Sequence, residues 1–132
     1  MKITKNDFSH PRSKDIYKRA LRFARDIYNL VKRFPDYEEN GLRNQLRRAS
    51  SSIVANFAEG HYNIYFGKEK DRLNSAMAST AECQSFLDLA YMVKYITREE
   101  YNKLDNDAQI ILDMLREKIL QISATMDEEK GA

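Results

Sequence analysis

The sequence predicts an all-α protein, folded as an antiparallel up-down-up-down bundle of four helices within a single domain, residues 1–132. Apolar residues recur at helical spacing in four long segments, and no segment shows the strict alternation that is typical of β-strands. The connections between these segments are short, which favours antiparallel neighbours. A chain of 132 residues is long enough to bury one core and too short for two separate modules.

Turn and capping residues delimit the first two helices. A polar arm, residues 1–12, precedes the first helix, which begins at the N-cap candidate Ser13 and ends near Phe34. A proline and an Asn-Gly pair then break the helical pattern, and the second helix runs from near Gly41 to the C-cap candidate Gly60. The first helix has an apolar face wide enough to need more than one neighbour. The residues that widen it are Tyr17, Leu21, Ala24, Tyr28 and Val31.

The third and fourth helices follow an aromatic connection, residues 61–67. The third helix, residues 68–96, carries apolar residues on two sides, which predicts that both sides are covered. Thr97 and Glu100 have the spacing of a capping box and open the fourth helix, which keeps a heptad-like apolar spacing. Residues 127–132 form a polar tail that we expect to fray.

Composition and charge narrow the possible functions. The formal net charge is only +2, so any case for nucleic-acid binding must rest on local clusters of basic residues. The single cysteine, Cys83, excludes an internal disulfide framework, and the exposed-looking His10 and His61 are too far apart to suggest a metal site or a cofactor. No apolar run has the length of a membrane span, and the N-terminus lacks the apolar segment of a secretory signal. We therefore expect a cytoplasmic protein without a membrane partner.

Enzymatic chemistry finds little support in the sequence. Glu59 and Glu82 are two carboxylates on neighbouring helices, but neither has the Glu-x-x-His spacing of metal-binding bundles. Cys83 has no histidine nearby in sequence, so we interpret it as a small buried thiol rather than as a nucleophile. A glycine-rich phosphate loop and a serine elbow are also absent from the sequence. We expect a non-enzymatic protein without a small-molecule substrate, and metal or hydrolytic chemistry on the two glutamates stays as a third hypothesis.

Polar residues follow one edge of the second helix and the second side of the third. This set, the polar seam, consists of Arg48, Asn56, Glu59, Ser79 and Glu82. Because buried charges must be paired, we expect these side chains to satisfy one another inside the bundle or across subunits. Such pairing would fix the register of the helices.

Basic residues fall into two groups. Those on the first helix lie opposite its apolar face, which is typical of a solvated outer side. They are Lys14, Lys18, Arg22, Arg25 and Lys32. The second group, the candidate nucleic-acid contacts, consists of Arg43, Arg47, Lys68, Lys70 and Arg72. Antiparallel packing separates its two arginines on the second helix from the other three, but in a ring the repeated copies would add up to a basic belt that contacts phosphates.

Two segments carry a resemblance to a known family: GLRNQLRRASSSIVANFAEG, residues 41–60, and KEKDRLNSAMASTAECQSFLDLA, residues 68–90. The chain resembles the bacterial four-helix-bundle proteins first noticed as reading frames within intervening sequences of 23S ribosomal RNA genes. The matching positions are Gly41, Leu42, Gln45, Leu46, Arg47, Arg48, Ala49, Ser52, Ile53, Asn56, Ala58, Glu59, Gly60, Leu73, Ala76, Ser79 and Glu82. The resemblance implies a bundle that assembles into a homo-oligomer, with pentameric rings known in the family. A distant relative is the accessory nucleic-acid-binding subunit beside the reverse transcriptase of diversity-generating retroelements, but for most members no activity is settled.

One departure from the family pattern changes the expected binding surface. Family members often carry a basic run just after Ala-Glu-Gly, whereas this chain has the aromatic segment 61–67 there. Its aromatic side chains could stack on unpaired bases, but we favour packing in a groove between subunits. Together with apolar residues from the second side of the third helix, they make up the predicted oligomer interface: Tyr62, Tyr65, Phe66, Phe86, Leu89 and Val93.

Two functional hypotheses follow. The first is a homo-oligomer, a pentamer by resemblance, that contacts the phosphates of RNA or DNA through its repeated basic residues without reading bases. The alternative is a structural scaffold that binds another protein and has no nucleic-acid role. Whether Arg43 and Arg47 line up on the surface or lie against acidic side chains distinguishes the two hypotheses.

Overall fold

Four α-helices make up most of the chain in the computed structural model, which describes Lys5, Asp7 and residues 9–131. They are α1, Asp15–Val31; α2, Leu42–Tyr62; α3, Phe66–Met92; and α4, Arg98–Gly131. Short 3-10 helices, Pro11–Ser13 and Asp36–Glu38, precede α1 and α2, and the described residues form no strand. The all-α four-helix prediction is confirmed. The rest of the predicted arm and residue 132 lie outside the described residues.

The helices pack as a closed bundle in which each helix has two neighbours. α2 packs against α1 and α3, and α4 packs against α3 and α1, with the α1–α4 pair the most loosely packed. Side chains between α2 and α3 pair in opposite sequence order, since Arg48 meets Glu82 whereas Glu59 meets Arg72. This is the order that antiparallel neighbours produce. Within the described ranges, no helix combines the length and the apolar character needed to cross a membrane.

The core runs along the bundle axis and takes side chains from all four helices. Its largest fully buried apolar side chains are Phe23, Ile27, Leu46, Ile53, Phe57, Leu73, Leu87, Ile111 and Leu115. The apolar stripe of α2, from Leu42 to Phe57, is buried at every position that its spacing predicts. Each large apolar side chain contributes about 1.5–3 kcal/mol when it leaves water, so this stripe is a main source of stability. The buried face of α1 is narrower than predicted, because Leu21 and Tyr28 are exposed.

Capping at the helix starts is partly as predicted. The Thr97–Glu100 capping box is confirmed, because the backbone N–H of Glu100 donates to Thr97 Oγ1 at 3.1 Å and that of Thr97 donates to Glu100 Oε1 at 2.9 Å. The prediction that Ser13 caps the first helix is wrong. Ser13 belongs to the 3-10 helix that Pro11 opens, and its hydroxyl donates to the carbonyl of His10. α1 begins only after Lys14.

The connection between α2 and α3 is shorter than predicted. α2 continues through Gly60 to Tyr62 and α3 begins at Phe66, so most of the aromatic segment is helical. Gly60 is therefore an interior helical residue, and the prediction that it caps α2 is wrong. A Cβ atom at this position would lie 3.0 Å from the Cβ of Arg72 and 3.3 Å from the carbonyl oxygen of Glu69. Glycine is needed here because α2 and α3 approach closely next to their junction.

The C-terminal end of α4 extends further than predicted. Residues 127–131, expected to fray, continue the helix to Gly131. The physical reason is that α4 stays anchored up to Met126, which packs against the core. Adding residues to an existing helix costs far less free energy than starting one.

Candidate binding surfaces

The first candidate surface is the start of α2, where Arg43 and Arg47 project from successive turns. Both guanidinium groups contact Glu39: Arg43 Nη1 lies 2.8 Å from its Oε2, and Arg47 Nη2 lies 2.5 Å from its Oε1. Arg43 also donates to the backbone carbonyl of Phe34, and its side chain is only 14% exposed. The two arginines therefore brace the connection between α1 and α2.

This pairing counts against Arg43 and Arg47 as nucleic-acid contacts. Hydrogen bonds from Arg47 and then from Arg43 lower the pKa of Glu39, so its carboxylate stays charged beside them. A phosphate would have to displace that carboxylate before it could bind either guanidinium group. The sequence held a signal for the pairing, because Glu39 precedes Arg43 by four residues, the spacing of helical ion pairs.

The other candidate nucleic-acid contacts, Lys68, Lys70 and Arg72, lie at the start of α3. Lys68 is exposed, Lys70 is half-buried, and neither has an ion-pair partner among the described residues. Arg72 Nε lies 3.4 Å from Glu59 Oε2, in a solvent-exposed pair of the kind that contributes little to stability. Because Glu59 lies near the opposite end of α2 from Arg43, the two basic groups are at opposite ends of the bundle.

The charged members of the polar seam lie on the outer edge of the α2–α3 contact. Arg48 Nη2 lies 2.8 Å from Glu82 Oε2 and 2.9 Å from Gln45 Oε1, and the Arg48 and Glu82 side chains are both largely exposed. Glu59 pairs with Arg72 rather than with another member of the seam. Arg48 and Glu82 thus pair with each other as predicted, but both charged pairs are exposed and contribute little to stability, so they do not form a buried network that fixes the register.

The uncharged members of the seam lie nearer the interior. Ser79 is buried and Asn56 is half-buried. The hydroxyl of Ser79 donates to Ser52 Oγ at 3.0 Å, and Asn56 Nδ2 donates to the same oxygen at 3.0 Å. These polar groups therefore satisfy one another across the contact between α2 and α3, with Ser52 as the link.

A buried ion pair lies where the N-terminal arm meets the α2–α3 junction. Lys5 Nζ is 3.1 Å from Glu69 Oε1, and the two side chains are only 6% and 1% exposed. Lys5 also donates from Nζ to the carbonyl of His61 at 2.7 Å and from its backbone N–H to that of Ile64 at 2.8 Å. The sequence does not predict this pair. The position of Glu69 was readable, since it precedes the buried Leu73 by four residues and so shares its helix face.

His61 takes part in the same junction and is buried, contrary to the exposed position that the sequence suggested. Its Nε2 lies 2.7 Å from the carbonyl oxygen of Ser9, and its ring stacks on that of Phe57 with centroids 6.1 Å apart. His10 is exposed as expected, and its ring meets Tyr62 edge to face at 5.2 Å. The arm thus covers the end of α2 through both backbone and ring contacts.

Among the described residues, the side chains that could act as a nucleophile or bind a metal ion are not arranged for either role. Cys83 is fully buried, and burial, with a smaller contribution from Glu82, raises the pKa of its thiol to about 12. A thiol that stays protonated at neutral pH is a poor nucleophile, so its interpretation as a buried apolar residue is confirmed. Among the described residues, no group of three or more His, Cys, Asp or Glu side chains is placed to hold a metal ion.

The residues of the predicted oligomer interface fall into two groups at opposite ends of α3. Near its start, Tyr62 is exposed, whereas Tyr65 and Phe66 are half-buried. The other three, at its end, are Phe86, Leu89 and Val93. Phe66 and Phe86 pack partly against the core. One subunit therefore cannot present all six residues as a single continuous surface.

Exposed apolar side chains cluster at two places. The first, the α3 patch, consists of the exposed Leu89, Met92 and Val93 together with the half-buried Phe86. Met92, which the sequence analysis left out, is 76% exposed. The second, the α1–α2 groove, is a shallow cavity of about 400 Å³ between α1 and α2. It is lined mainly by Leu21, Ala24, Arg25, Tyr28, Val54 and Ala55. Leu21 and Tyr28 thus border an open groove instead of the core.

Four sequential helices with short connections place the chain among the up-and-down helical bundles. The chain belongs to the family of 23S rRNA-intervening sequence proteins, whose model matches residues 12–117. It is also similar to the crystal structure of a protein of unknown function from the S23 ribosomal protein family of Bacteroides thetaiotaomicron. That protein is 30% identical, with a TM-score of 0.74, and the match covers 79% of this chain and 97% of that one. No curated protein matches the chain. The family resemblance seen in the sequence is confirmed, but neither the family description nor the similar structure names an activity.

Proposed function

We propose that the protein is a non-enzymatic binding scaffold that assembles into a homo-oligomer. The observation that carries this proposal is exposed apolar surface on two different faces of the bundle, the α1–α2 groove and the α3 patch. A contiguous patch of exposed apolar side chains marks a site of protein contact, whereas scattered single apolar residues do not. The pairing of Arg43 and Arg47 with Glu39 supports the same choice, because two of the five candidate phosphate contacts are already bonded to a carboxylate.

Each of the two surfaces has the composition of an interface core. In the α1–α2 groove, Leu21 and Tyr28 are 50% and 43% exposed and lie beside the half-buried Val54. In the α3 patch, Leu89 is 50% exposed and lies one turn from the exposed Met92. Tyrosine and methionine are enriched in protein interfaces, and covering apolar surface yields about 25 cal/mol per Å².

Two unlike surfaces favour a head-to-tail contact, in which the groove of one subunit receives the α3 patch of the next. A contact between two different surfaces produces a ring when its rotation closes, whereas a two-fold dimer uses one surface twice. The pentameric ring that the family resemblance implies is therefore the assembly that we propose.

Native mass spectrometry tests the assembly. We expect the wild type to have about five times the chain mass of 15.5 kDa. Leu21→Glu and Leu89→Glu each place a charge in one of the two surfaces and should yield monomers. Leu120→Glu is the matched control, because Leu120 is exposed to a similar degree but lies on α4, outside both surfaces. A monomeric wild type, or an oligomer that tolerates both surface charges, would rule out this interface.

Nucleic acid is the second candidate partner, and Lys68, which is exposed and has no ion-pair partner among the described residues, favours it. Lys68, Lys70 and Arg72 lie within the first two turns of α3, so a ring would repeat them once in every subunit. Phosphate contacts made by repeated cations add up, and each one increases the salt dependence of binding. Arg43 and Arg47 take no part in this surface, because Glu39 holds them.

Fluorescence anisotropy with single-stranded RNA and duplex DNA tests this partner. We expect the triple variant Lys68→Glu, Lys70→Glu, Arg72→Glu to lose binding, and the wild type to bind less tightly as salt increases. Arg98→Glu is the control, because it reverses an exposed cation at the start of α4. Affinity that does not respond to salt, or that survives the triple variant, would exclude the surface.

A further inference from the structure

The groove between α1 and α4 holds two adjoining cavities that share only Arg25 with the surfaces of the proposed function. One cavity has a volume of about 190 Å³, and its lining includes Arg19, Arg22, Phe23 and Ile111. The other has a volume of about 430 Å³, and its lining includes Asn29, Leu30, Arg33 and Leu104. Both are also lined by Arg25, Asp26 and Lys103, so they form one continuous groove, which we name the α1–α4 groove.

We propose that the α1–α4 groove binds a phosphorylated ligand of the nucleotide class, either a free nucleotide or one unit of a single-stranded nucleic acid. The smaller cavity receives the phosphate group. The larger cavity receives the sugar and the base. This is a different site from the basic residues at the start of α3, because α1 and α3 lie diagonally across the bundle.

The side chains around the smaller cavity carry a net positive charge, which favours the binding of an anion. Its lining contains four cationic side chains and two carboxylates, and Arg19 Nε also lies 3.3 Å from Asp15 outside the lining, so one positive charge is left in excess. Asp26 is shared, lying 3.0 Å from an Arg25 nitrogen and 3.5 Å from Lys103 Nζ, and Lys103 is also 2.7 Å from Asp107. Arg22 has no ion-pair or hydrogen-bond partner within the described part of the chain. A phosphate could therefore bind the Arg22 guanidinium group without first displacing a carboxylate of the described residues.

The surroundings of Arg22 strengthen its attraction for a phosphate. The cavity floor contains Phe23 and Ile111, which are 2% and 1% exposed, so one wall of the site is apolar. A cleft with low-dielectric walls focuses the field of the charges at its rim. A guanidinium group also offers paired N–H donors that match the oxygens of a phosphate, which a lysine does not.

The larger cavity has the size and lining of a site for an organic group. Its volume of about 430 Å³ lies within the range of small-molecule sites, roughly 300–1,000 Å³. The buried Leu30 and Leu104 supply an apolar wall, and Asn29 supplies an amide that can both donate and accept. The smaller cavity, at about 190 Å³, holds a phosphate group rather than a whole ligand.

The sequence predicts that Arg22 and Arg25 lie on a solvated outer side of the first helix. That interpretation depends on the bundle leaving this side uncovered. The loose packing between α1 and α4 instead turns part of it into the rim of a groove. A periodic pattern on one helix cannot show how closely the neighbouring helix will approach.

Isothermal titration calorimetry tests the proposal with four probes: inorganic phosphate, adenosine, adenosine triphosphate and a single-stranded oligonucleotide. Arg22→Glu should weaken binding of the triphosphate at least about tenfold, which corresponds to about 1.4 kcal/mol. Arg98→Glu is the matched control, because it makes the same charge change at an exposed position at the start of α4, outside the lining of both cavities, and it should change affinity by less than about twofold.

The pattern across the probes distinguishes the two sources of phosphate. Binding of the triphosphate that is sensitive to Arg22→Glu supports a free nucleotide. Binding of the oligonucleotide alone, with the same sensitivity, supports a unit of single-stranded nucleic acid. Equal weakening by Arg22→Glu and Arg98→Glu, tighter binding of adenosine than of the triphosphate, or no binding of either phosphorylated probe would overturn the site. None of these results depends on the surfaces mutated in the tests of assembly and of the α3 basic residues.

Discussion

Replacing Gly60 by alanine should destabilise the bundle, although alanine is the better helix former. In an unobstructed helix interior the change gains about 0.5–1 kcal/mol. Here the new methyl group would meet the Arg72 Cβ at 3.0 Å and the Glu69 carbonyl oxygen at 3.3 Å. Both atoms belong to or adjoin the backbone of α3 and cannot swing away as a side-chain tip does. Overpacking of this kind costs about 1–3 kcal/mol, so we expect a net loss of up to about 2 kcal/mol.

Gly67→Ala provides the matched control for this prediction. Gly67 is also helical, but a Cβ there would have only the flexible Met126 Cε within reach, at 4.0 Å. We expect this variant to gain up to about 1 kcal/mol, so that the two variants differ by about 1–3 kcal/mol. Thermal unfolding followed by circular dichroism, at equal protein concentration, should resolve the difference as several degrees in Tm. Equal stabilisation by both substitutions would refute the close approach of α2 and α3 at Gly60.

Three further predictions concern charges and the buried thiol. Lys5→Met should lower the free energy of unfolding by about 3 kcal/mol, because it leaves the Glu69 carboxylate buried without its ammonium partner, and adding Glu69→Gln should restore much of the loss in urea denaturation. The lowered pKa of Glu39 means that its pairing stabilises the fold fully above the ordinary glutamate pKa and less as the pH falls below it. The stability difference between the wild type and Glu39→Gln should therefore shrink in acid, and a constant difference would contradict the pairing. Cys83, with a pKa raised to about 12, should react with a thiol reagent only after denaturant is added, and rapid labelling of the native protein would contradict its burial.

Local patterns predicted those parts of the fold that depend on neighbours close in sequence. The α2 stripe from Leu42 to Phe57 is buried because five apolar residues at helical spacing can face only one direction. The capping box at Thr97 and Glu100 forms because both of its hydrogen bonds link residues three positions apart. Neither feature needs information from another helix.

Contacts between distant segments were less accessible to sequence reasoning. Lys5 and Glu69 come together only because the arm crosses the α2–α3 junction, and nothing in the polar arm marks which lysine will be buried. The sequence predicts a cap at Gly60 because glycine serves that role at helix ends, whereas its actual role depends on how closely α3 approaches. The exposure of Leu21 in the α1–α2 groove has the same origin, since a pattern shows which face is apolar but not whether one chain can cover it.

The segment that identifies the family specifies the packing of α2 against α3 more than it specifies a binding site. Leu46, Ala49 and Ile53 are fully buried, and Gly60 permits the close approach of the two helices. Its arginines bond to side chains of the same subunit, Arg47 to Glu39 and Arg48 to Gln45 and Glu82. The surfaces to which we assign binding, the α1–α2 groove, the α3 patch and the α1–α4 groove, lie mostly outside that segment. A chain can therefore keep the family pattern and change its partner, because exposed positions tolerate substitutions that the closely packed α2–α3 contact does not.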